Sequence, residues 1–283
     1  WDETLIAFQI VPKLNTTGRL ADIANANNTV RYLLSTNLEQ LQHMAKQIRE
    51  LNDRRKTMSD DMVKVARTLV RPEYRFQLLF HDSFHEGMAG LVAGKLSEEL
   101  QLPVMVAAQR EQMFKGSIRS LDLLDLTTFF DACRPSLSAY GGHKAAAGIG
   151  FPYENKQIVQ DYVNTRMEGI HFQQEKSYDV IPIRVQEATL AEVESLSVLG
   201  PFGCGFEEPL FYLEEASVQG CRLLGNREHA KWILSDSLEA MYFRCGNAYE
   251  RLHEKNNVNF IGNLRINSFM GRKKVNIFVT EAY

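Results

Sequence analysis

A long stripe of apolar residues between residues 38 and 70 constrains the fold most. The residues recur at three- and four-residue steps or their sums, the spacing of one helix face: Leu38, Leu41, Met44, Ile48, Leu51, Met58, Met62, Val65 and Leu69. Asn37 with Gln40 resembles a capping box at its start, and Pro72 stops the run. Unbroken, such a helix is about 50 Å long. The pattern predicts a strut between two domains, with two shorter helices of one bundle as the alternative.

Candidate strands and helices alternate after this stripe. "RFQLLF" (75–80) and "PVMVAAQ" (103–109) are typical of strands, and "EGMAGLVAGKLSEEL" (86–100) between them is typical of a helix. We expect residues 121–140 to be mostly helical despite Pro135, "AAAGIGF" to form a strand, and "NKQIVQDYVNTRMEGIHF" to form a helix. Such βαβ alternation predicts an α/β layer with some parallel strand pairing.

The pattern changes near residue 176 to short strand-like runs broken by Gly, Asn or charged clusters. Five or six strands in about a hundred residues favour a small β-barrel, for which an OB-type barrel is a good candidate. We therefore place a boundary near "QEKSY" (174–178) and expect three segments: 1–71, 72–175 and 176–283.

Composition restricts the partners and the compartment. The net charge of −3 means that nucleic-acid binding would depend on local basic patches. The four cysteines form no CxxC pair, which argues against a zinc site or a disulfide framework and fits a reducing cytosol. No apolar run reaches the ~20 residues that cross a bilayer. We find no signal peptide, and a start at Trp1 predicts a fragment of a longer protein.

Three segments combine glycine with a cation or a hydroxyl, as phosphate sites do. They are "LNTTGRL" (14–20), "KGSIRS" (115–120), which we expect to join a strand to a helix, and "GGHKAAAG" (141–148). Each alone is ambiguous, since a plain turn, a solvated helix cap or a packed loop would look the same. Together they predict one anion site, with these candidate residues: Arg19, Gly116, Ser117, Arg119, Gly141, Gly142 and His143.

"HDSFHEG" (81–87) groups side chains that could hold a metal. A catalytic metal needs about three converging ligands and an open position, and here the side chains straddle a strand-to-helix turn. We therefore predict no metal ligand in this chain. His85 and Glu86 are expected to cap the helix or to support neighbouring groups.

The barrel segment offers two further candidate surfaces. In "HAKWILS", Ala230, Trp232 and Leu234 share one face, so we expect Trp232 in the core and His229 and Lys231 outside. Replacing Lys231 by Ala should then leave stability nearly unchanged. In "GRKKVNIFV", alternation points Val275, Ile277 and Val279 inward. The candidate DNA contacts are His229, Lys231, Arg272, Lys273 and Lys274, with a solvated hairpin tip as the alternative at the last three.

The order of the motifs resembles that of the RecJ family of single-strand-specific DNA exonucleases. "VPKLNTTGRL" is similar to the family's PRLNAAGRL, "FHEGMAGLVAGKL" to WHEGVIGIVASRL, "KGSIRS" to GSxRS and "YGGHKAAAG" to GGHxxAAG. "LGPFGCGFEEPLF" is similar to PFGxGNPEPLF, with Phe206 and Glu207 replacing Asn-Pro. The likeness spans essentially the whole chain. The family's DHH motif does not occur in it.

The resemblance implies the C-terminal portion of such an enzyme: a linking helix, an α/β DHHA1 domain with a mixed sheet, and an OB-type barrel. It implies that Ser117, Arg119, His143 and Arg19 hold phosphates of single-stranded DNA, with Arg19 reaching the site in the longer protein. It further implies 5′→3′ degradation in DNA repair and recombination, Mn²⁺ or Mg²⁺ in an absent catalytic domain, and no nuclease activity of this chain alone.

By the same resemblance we expect a bacterial cytoplasmic protein whose partners are single-stranded DNA and a single-strand-binding protein. Two alternatives stay open. One is a DHH/DHHA1 phosphodiesterase acting on short oligonucleotides, which the barrel and the PFGxGxxEP motif disfavour. The other is a stand-alone adaptor that binds single strands or a protein.

Overall fold

The computed structural model describes residues 5–172, 177–203, 205–269 and 271–283. The chain divides into two compact units, residues 1–174 and 175–283. Most of the predicted boundary segment "QEKSY" and the Cys204 position of the "LGPFGCGF" motif lie outside the described residues. No helix in the described ranges combines the length and the apolar character that crossing a membrane requires.

The first unit begins with short helical segments and continues into the long helix. After a π-helical turn at Ile6–Ile10 come α1 (Val11–Leu14), α2 (Thr16–Arg19), α3 (Asn27–Leu34) and α4 (Leu38–Thr68). The predicted single helix is confirmed, because α4 runs unbroken for 31 residues. The Asn37 side chain accepts a 3.0 Å hydrogen bond from the Gln40 amide and so caps the first turn.

A five-stranded mixed sheet follows α4. Its elements are β1 (Gln77–His81), α5 (Glu86–Leu100), β2 (Val104–Arg110), β3 (Met113–Arg119), β4 (Ala139–His143), β5 (Ala146–Pro152) and α7 (Lys156–Met167). The strand order is β1-β2-β3-β5-β4. β1 and β2 pair in parallel around α5, as the alternation predicted, and the other ladders are antiparallel.

The prediction of a mostly helical segment at 121–140 is wrong. Leu121 and Asp122 have left-handed φ angles of 48° and 59°, so no helix starts there. A four-residue helix, α6 (Leu126–Phe129), is followed by a 3₁₀ segment that contains Pro135. Proline cannot donate the amide hydrogen bond that would continue an α-helix, and the chain is extended again at Leu137.

The sheet buries its two faces against different partners. On one face Met105, Ala107, Phe114, Ile118 and the inward side of α7 form an aromatic-rich core. On the other face α5 covers only part of the sheet, because its buried residues pack against Leu79, Val104, Val106 and Ala108 of β1 and β2, together with α4. α5 also lies beside β3, whereas over β5 and β4 the described residues place no helix on this second face.

The second unit is a single seven-stranded sheet with two short helices. Its elements are β6 (Val180–Ile183), α8 (Leu190–Leu196), β7 (Leu210–Ser217), β8 (Gly220–Leu224), β9 (His229–Ile233), β10 (Leu238–Tyr242), α9 (Ala248–Leu252), β11 (Asn257–Phe269) and β12 (Arg272–Ala282). The order is β6-β7-β11-β12-β10-β9-β8, and no ladder within the described ranges joins β8 to β6. The sequence predicted five or six strands and seven are present, and the sheet is not a closed barrel.

The inward assignment of Trp232 is confirmed. Ala230 and Trp232 are fully buried and Leu234 is nearly so, whereas His229 and Lys231 are half-buried on the other face. The indole packs against Phe260 and Tyr249, with ring centroids 5.7 and 6.2 Å apart. Val275 and Ile277 of β12 also point into this core.

Trp232→Ala should destabilise the second unit by about 3–5 kcal/mol, because deleting a buried large aromatic removes its transfer energy and leaves a cavity. Urea unfolding followed by circular dichroism measures the loss. Arg222→Ala, which changes an exposed residue of the adjacent strand, is the control and should stay within about 0.5 kcal/mol of the unsubstituted chain. Normal stability of Trp232→Ala would contradict the inward assignment.

Candidate nucleic-acid interface

The side chains of β3 divide between a buried face and a more open face of the sheet. Successive residues of a strand point to opposite faces of the sheet. Phe114 and Ile118 are fully buried in the aromatic core. Lys115, Ser117 and Arg119 therefore project to the other face, where Lys115 is exposed and the other two are half-buried.

The neighbouring strands bring the predicted site residues into two rows on this face. Ser117 of β3 pairs with Gly148 of β5, which pairs with Gly141 of β4. The next row contains Arg119, Ala146 and His143. Since adjacent strands lie about 4.8 Å apart, the Cα atoms of Arg119 and His143 are separated by about 10 Å, with only alanine between them.

The predicted local structure of two of these segments differs from the one observed. "KGSIRS" does not join a strand to a helix; it lies within β3, which β2 and β5 hold on both sides. "GGHKAAAG" is a β-hairpin from β4 into β5, so only its strand half was predicted correctly. No helix N-terminus directly follows "KGSIRS", because the next helix begins at Leu126.

The glycines of the site have two different roles. A Cβ at Gly116 would lie 2.2 Å from the Val106 carbonyl oxygen, and one at Gly142 would lie 2.2 Å from the Ala146 carbonyl oxygen. These two positions are glycine because a neighbouring strand passes too close for any side chain. Gly141 has no atom within 4 Å of its Cβ position. It leaves the surface between Ser117 and the β4 edge bare.

Helix α5 forms a wall beside Arg119. A Cβ at Gly90 would lie 2.7 Å from the Arg119 Nη2 atom and 3.4 Å from the Ser117 hydroxyl, whereas one at Gly94 would lie 3.9 Å from the Arg119 Cγ. The Arg119 Nη1 atom donates a 2.7 Å hydrogen bond to the Ile118 carbonyl. The guanidinium is thus held flat between the helix and the strand, with its remaining donors free of protein acceptors in the described part of the chain.

Arg19 lies near Arg119 within this chain, close enough for its charge to lower the pKa of Arg119. The Arg19 carbonyl oxygen lies only 1.9 Å from where a Cβ of Gly87 would be, so α2 packs directly on the first turn of α5. The two threonines before it, Thr16 and Thr17, are buried, and the Thr16 hydroxyl donates to the Pro12 carbonyl at 2.7 Å.

Arg55 of α4 joins this cluster, and sequence reasoning missed it. Its Nε atom is buried without a hydrogen-bond partner in the described residues. Burial and the nearby charge of Arg19 lower the pKa of Arg55, against a smaller opposing effect of Asp60. Burial and Arg19 also lower the pKa of Arg119. The signal was available, since Arg55 interrupts the apolar stripe in "NDRRK".

The charge of Arg19 repels both Arg55 and Arg119, and Asp60 offsets only part of this effect at Arg55. Among the described residues, Arg19, Arg55 and Arg119 form no ion pair. Burying like charges together is unfavourable, and a bound anion would relieve both the repulsion and the lost hydration. The electrostatics of the cluster therefore favour a bound anion.

The open face continues from this cluster towards β4. A pocket of about 530 Å³ lies over the strands, with Gly87, Lys115, Gly141, Gly148 and Gly150 among its lining residues. His143 is exposed, and its side chain makes no hydrogen bond or ion pair within the described ranges. Lys115 lies 3.7 Å from Glu86, which partly neutralises that corner.

His85 caps the start of α5. Its Nδ1 atom accepts a 3.2 Å hydrogen bond from the Gly87 amide, so its Nε2–H donates to Asp22 at 3.0 Å. These bonds fix the helix end against the segment after α2. In the described part of the chain no three His, Cys, Asp or Glu side chains are grouped so as to hold a metal ion.

The candidate contacts of the second unit are largely paired with carboxylates. Lys231 and Lys274 both bind Glu239, which is only 7% exposed. Lys273 lies 2.9 Å from Glu194. The His229 Nδ1 atom accepts from the Arg244 amide. Arg272 is exposed. Of these five residues, it is the one whose side chain has no partner among the residues that the structure describes.

Two family models match the chain, one in each unit. The DHHA1 domain model matches residues 72–169, and the RecJ OB domain model matches residues 178–281. Among curated proteins, the single-stranded-DNA-specific exonuclease RecJ of Bacillus subtilis is 27% identical over 99% of this chain and 37% of its own length. The RecJ of Thermus thermophilus is 30% identical over 81% of this chain and 33% of its own length. The RecJ of Escherichia coli is 27% identical over 98% of this chain and 51% of its own length.

Solved structures agree with these matches. The crystal structures of Thermus thermophilus RecJ in complex with Mg²⁺ and with Mn²⁺ superpose with TM-scores of 0.84 and 0.85 at 25% identity. They match 99% and 100% of this chain, and 44% and 42% of theirs. The chain spans between a third and about half of the length of its curated relatives.

The folds and their order define a protein that joins a DHHA1 domain to a RecJ-type OB domain. The chain belongs to the RecJ family and corresponds to the portion of those proteins that carries these two domains.

Gly90→Ala should weaken anion binding without destabilising the fold. The new methyl group would displace the Arg119 guanidinium, whose end can swing away, while helix propensity improves by up to about 1 kcal/mol. Gly94→Ala brings the same gain in propensity but only an ordinary contact with Arg119. Fluorescence anisotropy with a labelled single-stranded oligonucleotide and thermal melts compare the two. Equal affinities for the two variants would contradict this geometry.

Glu239 should make the stability of the second unit depend on acid. Burial opposes its ionisation, but hydrogen bonds from Lys231 and Lys274 outweigh burial and lower the pKa of Glu239 below its usual 4.5. A carboxyl with a lowered folded-state pKa stabilises the fold above its unfolded-state pKa, and this stability is lost as the pH falls through the folded-state value. Urea unfolding between pH 7 and pH 3 should show this loss, and Glu239→Gln should reduce it.

The same pairing changes the expectation for Lys231. Lys231→Ala should cost about 1–3 kcal/mol at pH 7, because it leaves a nearly buried carboxylate with one partner fewer. The pattern of the strand alone had predicted no cost. The exposed Arg222→Ala is again the control.

Proposed function

We propose that this chain is the DNA-gripping portion of a single-strand-specific 5′→3′ exonuclease of the RecJ kind, active in DNA repair and recombination. The observation that carries the proposal is the open sheet face of the first unit. There Arg19, Arg55 and Arg119 gather without forming an ion pair in the described part of the chain, beside Ser117 and a strip of bare glycine backbone. Its relatives are described as single-stranded-DNA-specific exonucleases.

The proposed roles follow from the geometry. Arg119 and Arg19 bind phosphate oxygens, because guanidinium donors match phosphate in charge and shape. The Ser117 hydroxyl, near the Arg119 guanidinium, donates to the same phosphate. His143, one row across and exposed, contacts a neighbouring phosphate. Gly141 keeps the path between them free of side chains, so the sugar–phosphate backbone can lie directly on the sheet.

Binding of this kind selects for the backbone and not for sequence. Phosphate contacts fix the register of a nucleic acid and make affinity depend on salt, but they carry no base information. A surface that grips phosphates would position the scissile bond for any single strand. This suits an exonuclease that must advance along every sequence.

The described residues of this chain do not fit a catalytic metal. They contain no cluster of three possible ligands, whereas the Thermus thermophilus relatives are in complex with Mg²⁺ or Mn²⁺. We therefore derive no hydrolytic step from these residues. In our proposal metal-dependent cleavage belongs to a separate catalytic domain, and this chain alone binds DNA without degrading it.

Arg119→Ala should weaken binding to all single-stranded sequences alike. It should also reduce the slope of log K against log salt by about 0.7, the loss expected for one phosphate contact on a single strand. Anisotropy titrations of labelled oligo-dT and of a mixed-sequence oligonucleotide at several salt concentrations measure both effects.

Arg166→Ala is the matched control. It removes the same charge from α7, which covers the opposite face of the same sheet. An Arg119→Ala slope indistinguishable from that of Arg166→Ala would refute the proposed phosphate contact.

A further inference from the structure

One aromatic ring of the second unit faces solvent from the outer side of the sheet. Leu238 and Ala240 of β10 are fully buried in the core. Alternation therefore turns Met241 and Phe243 to the opposite face. Phe243 directly follows the strand and is 51% exposed.

Phe243 is part of an ordered row across four neighbouring strand segments. Its ring stacks on Phe278 of β12, with centroids 5.9 Å apart and an angle of 12° between the planes. His229 of β9 meets Phe243 edge-on at 5.1 Å, and the Arg265 guanidinium of β11 lies 5.7 Å from the Phe278 ring centre. We call these four residues the Phe243 platform.

The platform is held in place before any ligand arrives. Arg265 binds Glu208 through two hydrogen bonds, Nε to Oε1 at 3.0 Å and Nη2 to Oε2 at 2.5 Å. The Arg244 amide donates to the His229 Nδ1 atom at 3.1 Å, which fixes that ring and the turn after Phe243. A surface that is already ordered loses little entropy on binding.

We propose that the Phe243 platform is a base-stacking site for single-stranded nucleic acid. The proposal rests on the single-strand binding proposed above and adds to it a contact with a base instead of a phosphate. Base–aromatic stacking tolerates every sequence, because every base has a π-face.

Charge and size favour a base over a protein as the occupant. Arg222, opposite Lys231 in the β8–β9 ladder, and Arg244 are exposed, and neither has a carboxylate partner in the described ranges. Between residues 207 and 282, in the part that the structure describes, Phe243 is the one exposed large apolar side chain. Protein interfaces use apolar patches of several hundred Å². A single flat ring among cations fits one base and its flanking phosphates.

The test compares two ligands with the same charge, oligo-dT and an abasic oligonucleotide of equal length. The unsubstituted chain should bind oligo-dT more tightly. Phe243→Leu, which keeps apolar bulk but removes the aromatic ring, should weaken oligo-dT binding about 5- to 150-fold, the equivalent of ~1–3 kcal/mol per stacked base. Its binding of the abasic strand and its salt slope should not change. Phe243→Trp should retain the preference.

Phe206→Leu is the matched control, since Phe206 is 55% exposed in the same unit and lies outside the platform. Quenching of a 2-aminopurine base in the oligonucleotide gives a direct stacking signal, which only Phe243→Leu should lose. Equal binding of both ligands by the unsubstituted chain, or equal effects of the two leucine variants, would overturn the platform and leave the phosphate grip intact. Absence of any single-strand binding would overturn both proposals.

Discussion

The site in the first unit depends on three places where backbone meets backbone without room for a side chain. At Gly87, Gly116 and Gly142 a Cβ would lie 1.9–2.2 Å from a carbonyl oxygen of another segment. The first contact seats α2, and with it Arg19, on α5. The other two draw β2 against β3 and β5 against β4, so that the Ser117 row is continuous. Each is a steric constraint, because no rotamer can relieve a clash at Cβ.

The alternation of side chains along β3 gives the two faces of the sheet different roles. One face of β3 supplies Phe114 and Ile118 to a core that stabilises the unit, and the other supplies Lys115, Ser117 and Arg119 to a surface that α5 borders and covers only in part. Arginines gathered there are unfavourable to the free protein, since burial and mutual repulsion both penalise their charge. The arginine cluster thus lowers the stability of the free protein, and a bound anion would restore it, as is common at functional sites.

Much of this arrangement was predictable from the sequence. The period of α4, its Asn37 cap, the parallel β1–α5–β2 unit and the inward face of Trp232 follow from spacing alone. The lack of a long helix at 121–140 was not predictable from spacing. The apolar residues there have helical spacing, but Pro135 and two left-handed residues prevent the helical hydrogen bonds. The strand at "KGSIRS" was not predictable either, because alternating polar residues are typical both of a loop and of a strand with one open face. Arg55 interrupts the apolar stripe of α4, which is a local signal, but its position near Arg19 depends on how α4 packs against α2, and no local pattern shows that long-range contact.

The second unit shows why charged residues near a turn are weak evidence of binding. Lys231, Lys273 and Lys274 are engaged by Glu239 and Glu194, so a phosphate would have to compete with these carboxylates. The Phe243 ring has no such competitor. About half of Phe243 is exposed, because no described side chain covers that part of it. The alternation of "LEAMYF" already turned Phe243 away from the core, and what it could not show is Phe278 lying parallel beneath it. If the first unit binds phosphates and the second stacks on a base, the affinity for single strands has a salt-dependent part and a salt-independent part. Substitutions of single residues can then change each part without the other.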